Sequence, residues 1–219
     1  LETPIDAVAM ATKIAREAGK AIIPNASPAL AQARDVLRQC DLLIVNRTEA
    51  ATMGGLEQYT EPGRLALRLA EIGPPTIVLT LGSQGAVMTH KGRPKRIPTL
   101  AVKAVDAVGA GDAFAGALAT AYASVHAAAK AKSPEEFRLL ERAMAFASAA
   151  GALATLKPGA IPSLPTLDEV LPRVAELEKQ MRAAAESLEF EKAAAMRDQI
   201  LELRQTLAEM QDLPPWQRL

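Results

Sequence analysis

Asp106-Ala107-Val108-Gly109-Ala110-Gly111-Asp112-Ala113-Phe114-Ala115-Gly116-Ala117 separates an extended, strand-like run from an alanine-rich helical one. Small residues at 109 to 111 let the backbone turn sharply and approach a ligand closely. The pattern predicts a helix starting near Ala110. Its unpaired N–H groups and positive dipole end then face one spot, an anion site of the kind that holds phosphate. Asp112 falls in the first helical turn, beside that anion. A carboxylate repels phosphate, so phosphate binding alone leaves Asp112 unexplained. It is explained if Asp112 takes a proton from a hydroxyl attacking the phosphorus. The plainer reading of Gly-Ala-Gly-Asp is a helix start with an acidic cap.

Working outward, Leu42–Val45 is a short apolar run that reads as a buried parallel strand. It ends in Asn46-Arg47-Thr48-Glu49, where Thr48 is placed to cap the next helix and Glu49 lies early in it. Ligands of open α/β sheets gather outside the carboxyl ends of strands, which places Asn46 and Glu49 for function. A plain strand-to-helix cap explains them equally well. Thr76–Thr80 reads as the next strand and Ala86–Thr89 as its partner. Between them, two glycines around a polar pair (Gly82-Ser83-Gln84-Gly85) suit a hairpin turn. Lys91–Arg96 reads as a basic tip between strands, either a solvated turn or an attraction for nucleotide phosphates. An apolar helix is expected over about 138–156, followed by a proline- and glycine-marked loop, Lys157–Ser163.

Toward the N-terminus, Ile5, Val8, Ala9 and Ile14 have helical spacing over Ile5–Ala18. Ala21–Asn25 reads as a strand with an exit loop to Pro28. Alternation of helix and strand to about residue 90 predicts an α/β fold, a parallel sheet with helices on both faces. After Pro165 the composition shifts. From Asp168 to about Met210 the chain is charged, rich in alanine and leucine, free of glycine, and holds Pro172 as its one proline. Apolar residues at 174, 177, 181, 190, 193, 194, 200, 203 and 207 follow a helix seam. Ser187-Leu188-Glu189-Phe190 interrupts it, predicting two antiparallel helices. So short a hairpin buries little by itself and must pack on the rest of the chain or on another chain. Trp216 sits in a proline-bearing tail.

The 219 residues allow one α/β core plus an appendage. With 25 basic and 25 acidic residues the formal charge is zero, so no bulk attraction to nucleic acid is expected. No run has the apolar length of a membrane helix and no signal peptide is visible. The single cysteine, Cys40, rules out a disulfide within this sequence and suits a reducing, cytoplasmic compartment. Its expected place, between a helix end and a strand, makes it core rather than nucleophile. His90 and His126 show no metal spacing.

The motifs quoted above resemble those of the ribokinase, or PfkB carbohydrate kinase, family, whose C-terminal part matches residues 1 to about 170. The resemblance implies a partial ribokinase-like, doubly wound α/β sheet with an ATP site. Asp112 corresponds to the family's catalytic base, and Gly109, Ala110 and Gly111 to its anion hole. Ala107 departs from the family, which usually carries threonine there. Asn46 and Glu49 match an N-x-x-E motif that positions magnesium and the nucleotide phosphates, mostly through water, as suits an ion that keeps its waters. Thr80, Gly82 and Gly85 match T-x-G-x-x-G, so with Ser83 and Gln84 they line the ATP site, and Ser148 aligns near the adenine. Asp106, Val108, Ala154, Lys157, Gly159 and Ser163 match the holders of a monovalent cation, K+, partly through carbonyls. Val125–Pro134 looks like an insertion lengthening a helix–helix connection.

The implied reaction is ATP-dependent phosphorylation of a small-molecule sugar, with ATP, Mg2+ and K+ as cofactors. The family's first strands, lid and most sugar contacts are expected in an N-terminal part that this sequence does not include. Leu177-Glu178-Lys179-Gln180-Met181-Arg182, Leu188-Glu189-Phe190-Glu191-Lys192-Ala193-Ala194 and Arg197-Asp198-Gln199-Ile200 resemble the UVR motif of excinuclease subunits B and C and of some Clp-protease regulators. That motif is a protein-contact module, implying a homo-oligomer or a UVR-bearing partner. The expected domains are 1–167, a kinase domain; 168–211, a UVR-like helical hairpin; and 212–219, a tail. The rival expectation is a nucleotide-binding scaffold that acts through the hairpin.

Overall fold

The computed structural model describes residues 3–29, 33–179 and 183. Residues 1–178 form one compact unit and 179–219 a second. The expected second helix of the hairpin, its interruption at Ser187–Phe190 and the Trp216 tail lie outside the described residues. In chain order the elements are α1 (Ile5–Glu17), α2 (Arg34–Leu37), β1 (Leu42–Asn46), α3 (Arg47–Gly54), α4 (Pro62–Ala70), β2 (Thr76–Thr80), β3 (Ala86–His90), β4 (Arg93–Ile97), α5 (Ala110–Lys130) and α6 (Glu136–Ala154). Single 3₁₀ turns sit at Gly82–Gln84 and Ile161–Ser163, and residues 167–179 are helical.

The sheet is four-stranded, ordered β1-β2-β3-β4. Only β1 and β2 are parallel; β2, β3 and β4 alternate in direction. The parallel β1–β2 pair and the expected β2–β3 hairpin together make the sheet mixed. Residues 81–85 are too few for a crossover, which needs a dozen or more residues, so β3 returns beside β2 as a hairpin. One apolar face of the sheet, with Leu43, Val45, Ile77, Leu79 and Val87, packs with Leu65, Ala66 and Leu69 of α4 in one buried core. On the other face α5 and α6 lie along each other. There the buried His90 ring meets Thr76 Oγ1 at 2.8 Å and Glu136 of α6 at 3.3 Å. Alanine and glycine make the C-terminal part of α6, from Ala143 to Ala154, slim enough to be buried almost all round. A Cβ at Gly151 would lie 3.2 Å from Ala110 O, so glycine lets α6 approach the start of α5.

Three expectations are corrected. Ala21–Asn25 is not a strand: only Asn25 bridges to Ile44. The segment does run along β1, with Ile44 N–H on Pro24 O and Ala26 N–H on Ile44 O, each at 3.0 Å. Pro24 has no N–H to return, and the Ile22 N–H goes to Asp41 Oδ2 at 2.8 Å, so no ladder forms. The basic tip is only Lys91-Gly92, both at positive φ (48° and 79°), the signature of a two-residue hairpin turn. Arg93–Ile97 is strand β4, an edge strand whose charge and proline suit an unpaired edge. The Val125–Pro134 stretch is mostly helix: α5 continues to Lys130, with Val125 and Ala128 buried. The helix expected from the apolar spacing at the N-terminus does form, as α1, although it buries little. Thr12 is its only buried residue, and Ile14 is 58% exposed. Cys40, by contrast, is buried where expected, between α2 and β1, and burial pushes its thiol up to about 12.

Candidate active site

A cleft of about 410 Å³ opens beside the carboxyl end of β2. Its walls come from four places, three of which hold residues singled out in the sequence. Thr80, Gly82, Ser83 and Gly85 line it from the β2–β3 turn; Ala107, Ala110, Gly111 and Phe114 from the start of α5; Ser148, Gly151, Ala152 and Thr155 from α6. The candidate nucleotide residues and the glycine turn thus border one space, although they are far apart in the chain. Thr80 donates its hydroxyl to Val45 O at 3.3 Å, stitching the ends of β2 and β1. Gly85 has φ +83°, and a Cβ there would lie 2.2 Å from Ile97 O, so only glycine fits. Ser148 is buried and donates to Pro98 O at 2.9 Å, so it shapes the wall. Gln84 is not in the lining; its carbonyl accepts Arg96 Nη2 at 3.4 Å.

The glycine turn has the predicted form. α5 starts at Ala110, and Gly109, its N-cap, has φ +80° and no side chain to spend on the helix. Ala110 N–H bonds Ala107 O at 3.3 Å and Ala113 N–H bonds Gly109 O at 2.8 Å. The N–H groups of Gly111 and Asp112, between them, take no acceptor among the described residues. Those are the orphan donors of a helix start, with the positive dipole end behind them. Gly111 lines the cleft and has nothing within 4 Å of where a Cβ would stand. Asp112 follows it in the first turn, is exposed, and has no ion-pair partner among the described residues.

Asn46 and Glu49 form a different corner. Asn46, not Thr48, caps α3: its Oδ1 accepts the Glu49 N–H at 2.9 Å, and Glu49 Oε2 accepts the Asn46 N–H at 2.8 Å. This reciprocal capping box uses one oxygen of each side chain. It leaves Glu49 Oε1 without a partner among the described residues. Glu49 is 8% exposed and Asn46 is exposed. No group of three or more His, Cys, Asp or Glu side chains gathers among the described residues. One carboxylate oxygen fits magnesium only if phosphates and waters supply most of its shell.

The residues matched to a cation site lie on two loops that the structure pins together. Asp106 Oδ1 accepts the Val108 N–H at 3.0 Å and its Oδ2 the Gly159 N–H at 2.8 Å. These bonds, Gly159 first, hold the Asp106 carboxyl below the usual range. Thr155 O, one residue past Ala154, accepts the Val105 and Asp106 N–H groups at 2.7 and 3.1 Å. Ser163 is buried, its hydroxyl on Ala160 O at 2.8 Å. Lys157 sends its ammonium to Glu169 at 3.1 Å. Carbonyls, one carboxylate and one hydroxyl are the oxygen chemistry a monovalent cation takes.

Sequence reading missed one wall altogether. Thr99, Leu100, Ala101, Val102 and Ala104 line the cleft from the segment after β4. They were hidden because Arg93–Ile97 reads as a charged turn. Arg93 faced by His90 across a two-residue turn was the available signal.

Comparison with known proteins places these observations in context. The family model described as pfkB family carbohydrate kinase matches residues 1–167, and that of the UvrB/uvrC motif matches residues 173–206. A ribokinase of Haemophilus influenzae is 32% identical over 175 residues, covering 78% of this chain and 53% of that protein. Fructokinase-1 of Oryza sativa is 33% identical over 171 residues, covering 74% and 51%. The structure of Arabidopsis thaliana ribokinase complexed with ribose and ATP superposes with TM-score 0.65 and 26% identity, covering 78% of this chain and 53% of that one. The chain spans about half the length of the curated relatives it matches.

Proposed function

This chain belongs to the pfkB family of carbohydrate kinases, and we propose that it carries the nucleotide-binding and proton-accepting half of an ATP-dependent sugar kinase. The observation that carries the reading is the pair of unclaimed N–H groups, Gly111 and Asp112, at the edge of a cleft large enough for a nucleotide. In this reading the apolar wall of Leu100, Val102, Phe114 and Ala152 takes the adenine, and Gly82, Ser83 and Gly85 follow the phosphates. Asp112 accepts the proton of a primary sugar hydroxyl as its oxygen attacks the γ-phosphorus. The N–H groups of the turn stabilise the charge spreading over the phosphoryl oxygens. Asn46 and Glu49 would hold magnesium, which neutralises phosphate charge, and the Asp106, Val108, Ala154, Lys157, Gly159 and Ser163 loops would hold potassium, which adds fixed positive charge beside the turn.

The test is a screen of ATP consumption over candidate sugars, ribose and fructose first, with the full-length protein. Sugar-dependent formation of ADP and a sugar phosphate is expected. ATP binding without turnover on any sugar would overturn the enzyme reading. It would favour the second one, a nucleotide-binding scaffold recruiting a protein through residues 173–206, which the UvrB/uvrC motif match supports. Co-purification with and without those residues separates the two: a partner set that survives the deletion defeats recruitment.

A further inference from the structure

Residues 157–166 form a surface loop whose two ends meet at one carboxylate. Glu169 Oε1 lies 3.1 Å from Lys157 Nζ, at the start of the loop. Its Oε2 accepts the Thr166 N–H at 2.7 Å and the Thr166 hydroxyl at 3.2 Å, at the end of the loop. Glu169 thereby closes the neck of a compact loop. The middle of that loop presses on the turn before α5. Gly159 gives its N–H to Asp106 at 2.8 Å. A Cβ on Gly109 would stand 2.9 Å from Ala160 Cα, so the two backbones are already in contact. Glu169 itself sits in the first turn of the 167–179 helix, which Glu178 ties to Arg142 of α6 at 3.1 Å.

We propose that Glu169 is a positioning residue for the phosphate turn. By closing the 157–166 loop it holds Gly159 and Ala160 against Asp106 and Gly109, and so sets the aim of the Gly111 and Asp112 N–H groups. This rests on reading that turn as the phosphoryl site. Glu169 is on the far side of the loop and acts through it. The UvrB/uvrC motif match begins just downstream, at residue 173, in the same helical run.

The experiment uses full-length protein carrying Glu169→Ala, Glu169→Gln or Lys157→Met. Two readouts are taken: amide hydrogen exchange over residues 105–114, and steady-state kinetics with ATP varied. Glu169→Ala should speed exchange at 106–112 and lower kcat/KM for ATP about two- to fivefold, the size expected for exposed charge pairs. Glu169→Gln should sit closer to wild type, because its amide oxygen still accepts from Thr166. Lys157→Met should move both readouts in the same direction as Glu169→Ala. A purely local helix-start role would speed exchange only over 164–172. Unchanged exchange at 106–112, or unchanged kcat/KM in an active enzyme, overturns the proposal. If no sugar is turned over, the kinase reading fails on its own, and the exchange readout still decides the clasp.

Discussion

Two helices begin close to the carboxyl ends of strands here, and they treat their first N–H groups in opposite ways. α3 closes its own start. The Asn46 carboxamide takes the Glu49 N–H and the Glu49 carboxylate takes the Asn46 N–H, so both of those backbone donors are satisfied within the corner. α5 leaves its start open. Its N-cap is Gly109, which has no side chain to offer, and the Gly111 and Asp112 N–H groups have no acceptor among the described residues. Both helix starts carry an acidic residue in the first turn. In α3 that acid is nine-tenths buried and committed to the fold; in α5 it is exposed and uncommitted. An unfilled helix start at the edge of a cleft is an anion site, and under the proposed reaction that asymmetry puts the chemistry at α5 rather than at α3.

The largest effect should come from the uncommitted acid. Asp112→Asn in the full-length protein should lower kcat about 10²- to 10⁴-fold with ATP binding retained, the usual contribution of a placed base. Near-normal turnover would break the assignment. Next come the two glycines of the turn, which separate support from site. Gly109→Ala forces a side chain to φ +80° and against the Ala160 backbone, so it should cost about 1–3 kcal/mol of stability, read as a lower Tm. Gly111→Ala meets nothing within 4 Å. It should leave stability within about 0.5 kcal/mol yet weaken nucleotide use, because the added methyl occupies the cleft side of the turn. Equal behaviour of the two variants would erase the distinction between support and site. On the closed helix, Asn46→Ala should cost about 1 kcal/mol through the lost cap, measurable by denaturant unfolding. Under the proposed reaction it should also raise the magnesium requirement. A loss of stability with no change in magnesium dependence would make that corner purely structural.

The glycine turn, the strands at 42–46 and 76–80, and the helices at 110 and 136 were legible because each rests on local chemistry. A glycine run, a β-branched apolar run and a small-residue periodicity need no distant partner to be read. What was missed depends on tertiary partners. Arg93-Pro94-Lys95-Arg96 looks like solvated turn until β3 is beside it and Glu141 faces Lys95 at 3.1 Å. Thr48 is a reasonable cap, but Asn46 lies one residue before the helix starts and takes the role. Ser148 lines the cleft, but that its hydroxyl is held by Pro98 O is visible only in the fold. The cleft was half legible for the same reason. Motifs mark what touches a ligand with backbone or charge, whereas its apolar wall at 99–104 has no motif at all.

The smallest prediction concerns what keeps the open helix start open. Asp106 stands just before it and accepts two backbone N–H groups, from Gly159 and Val108, which lower its pKa in the folded state. A carboxyl so lowered contributes stability that is fully present above its unfolded pKa, about 3.9, and is lost as pH falls through the folded value. Glu61, capping α4, and Glu169, clasping the 157–166 loop, are lowered for the same reason and share the acid slope. His90 is lowered by burial instead, so it favours unfolding as soon as pH drops below its ordinary value of about 6.5. The two effects are separated by subtraction. In Asp106→Asn the His90 limb is untouched, so the difference in Tm between wild type and variant should be constant above about pH 5.5 and shrink below about pH 4.5. The Glu61 and Glu169 shares cancel likewise. Curves that stay parallel down to pH 3 would mean that the carboxylate charge contributes nothing to pinning the two loops, and that the turn at Gly109 is held by the Ala160 contact alone.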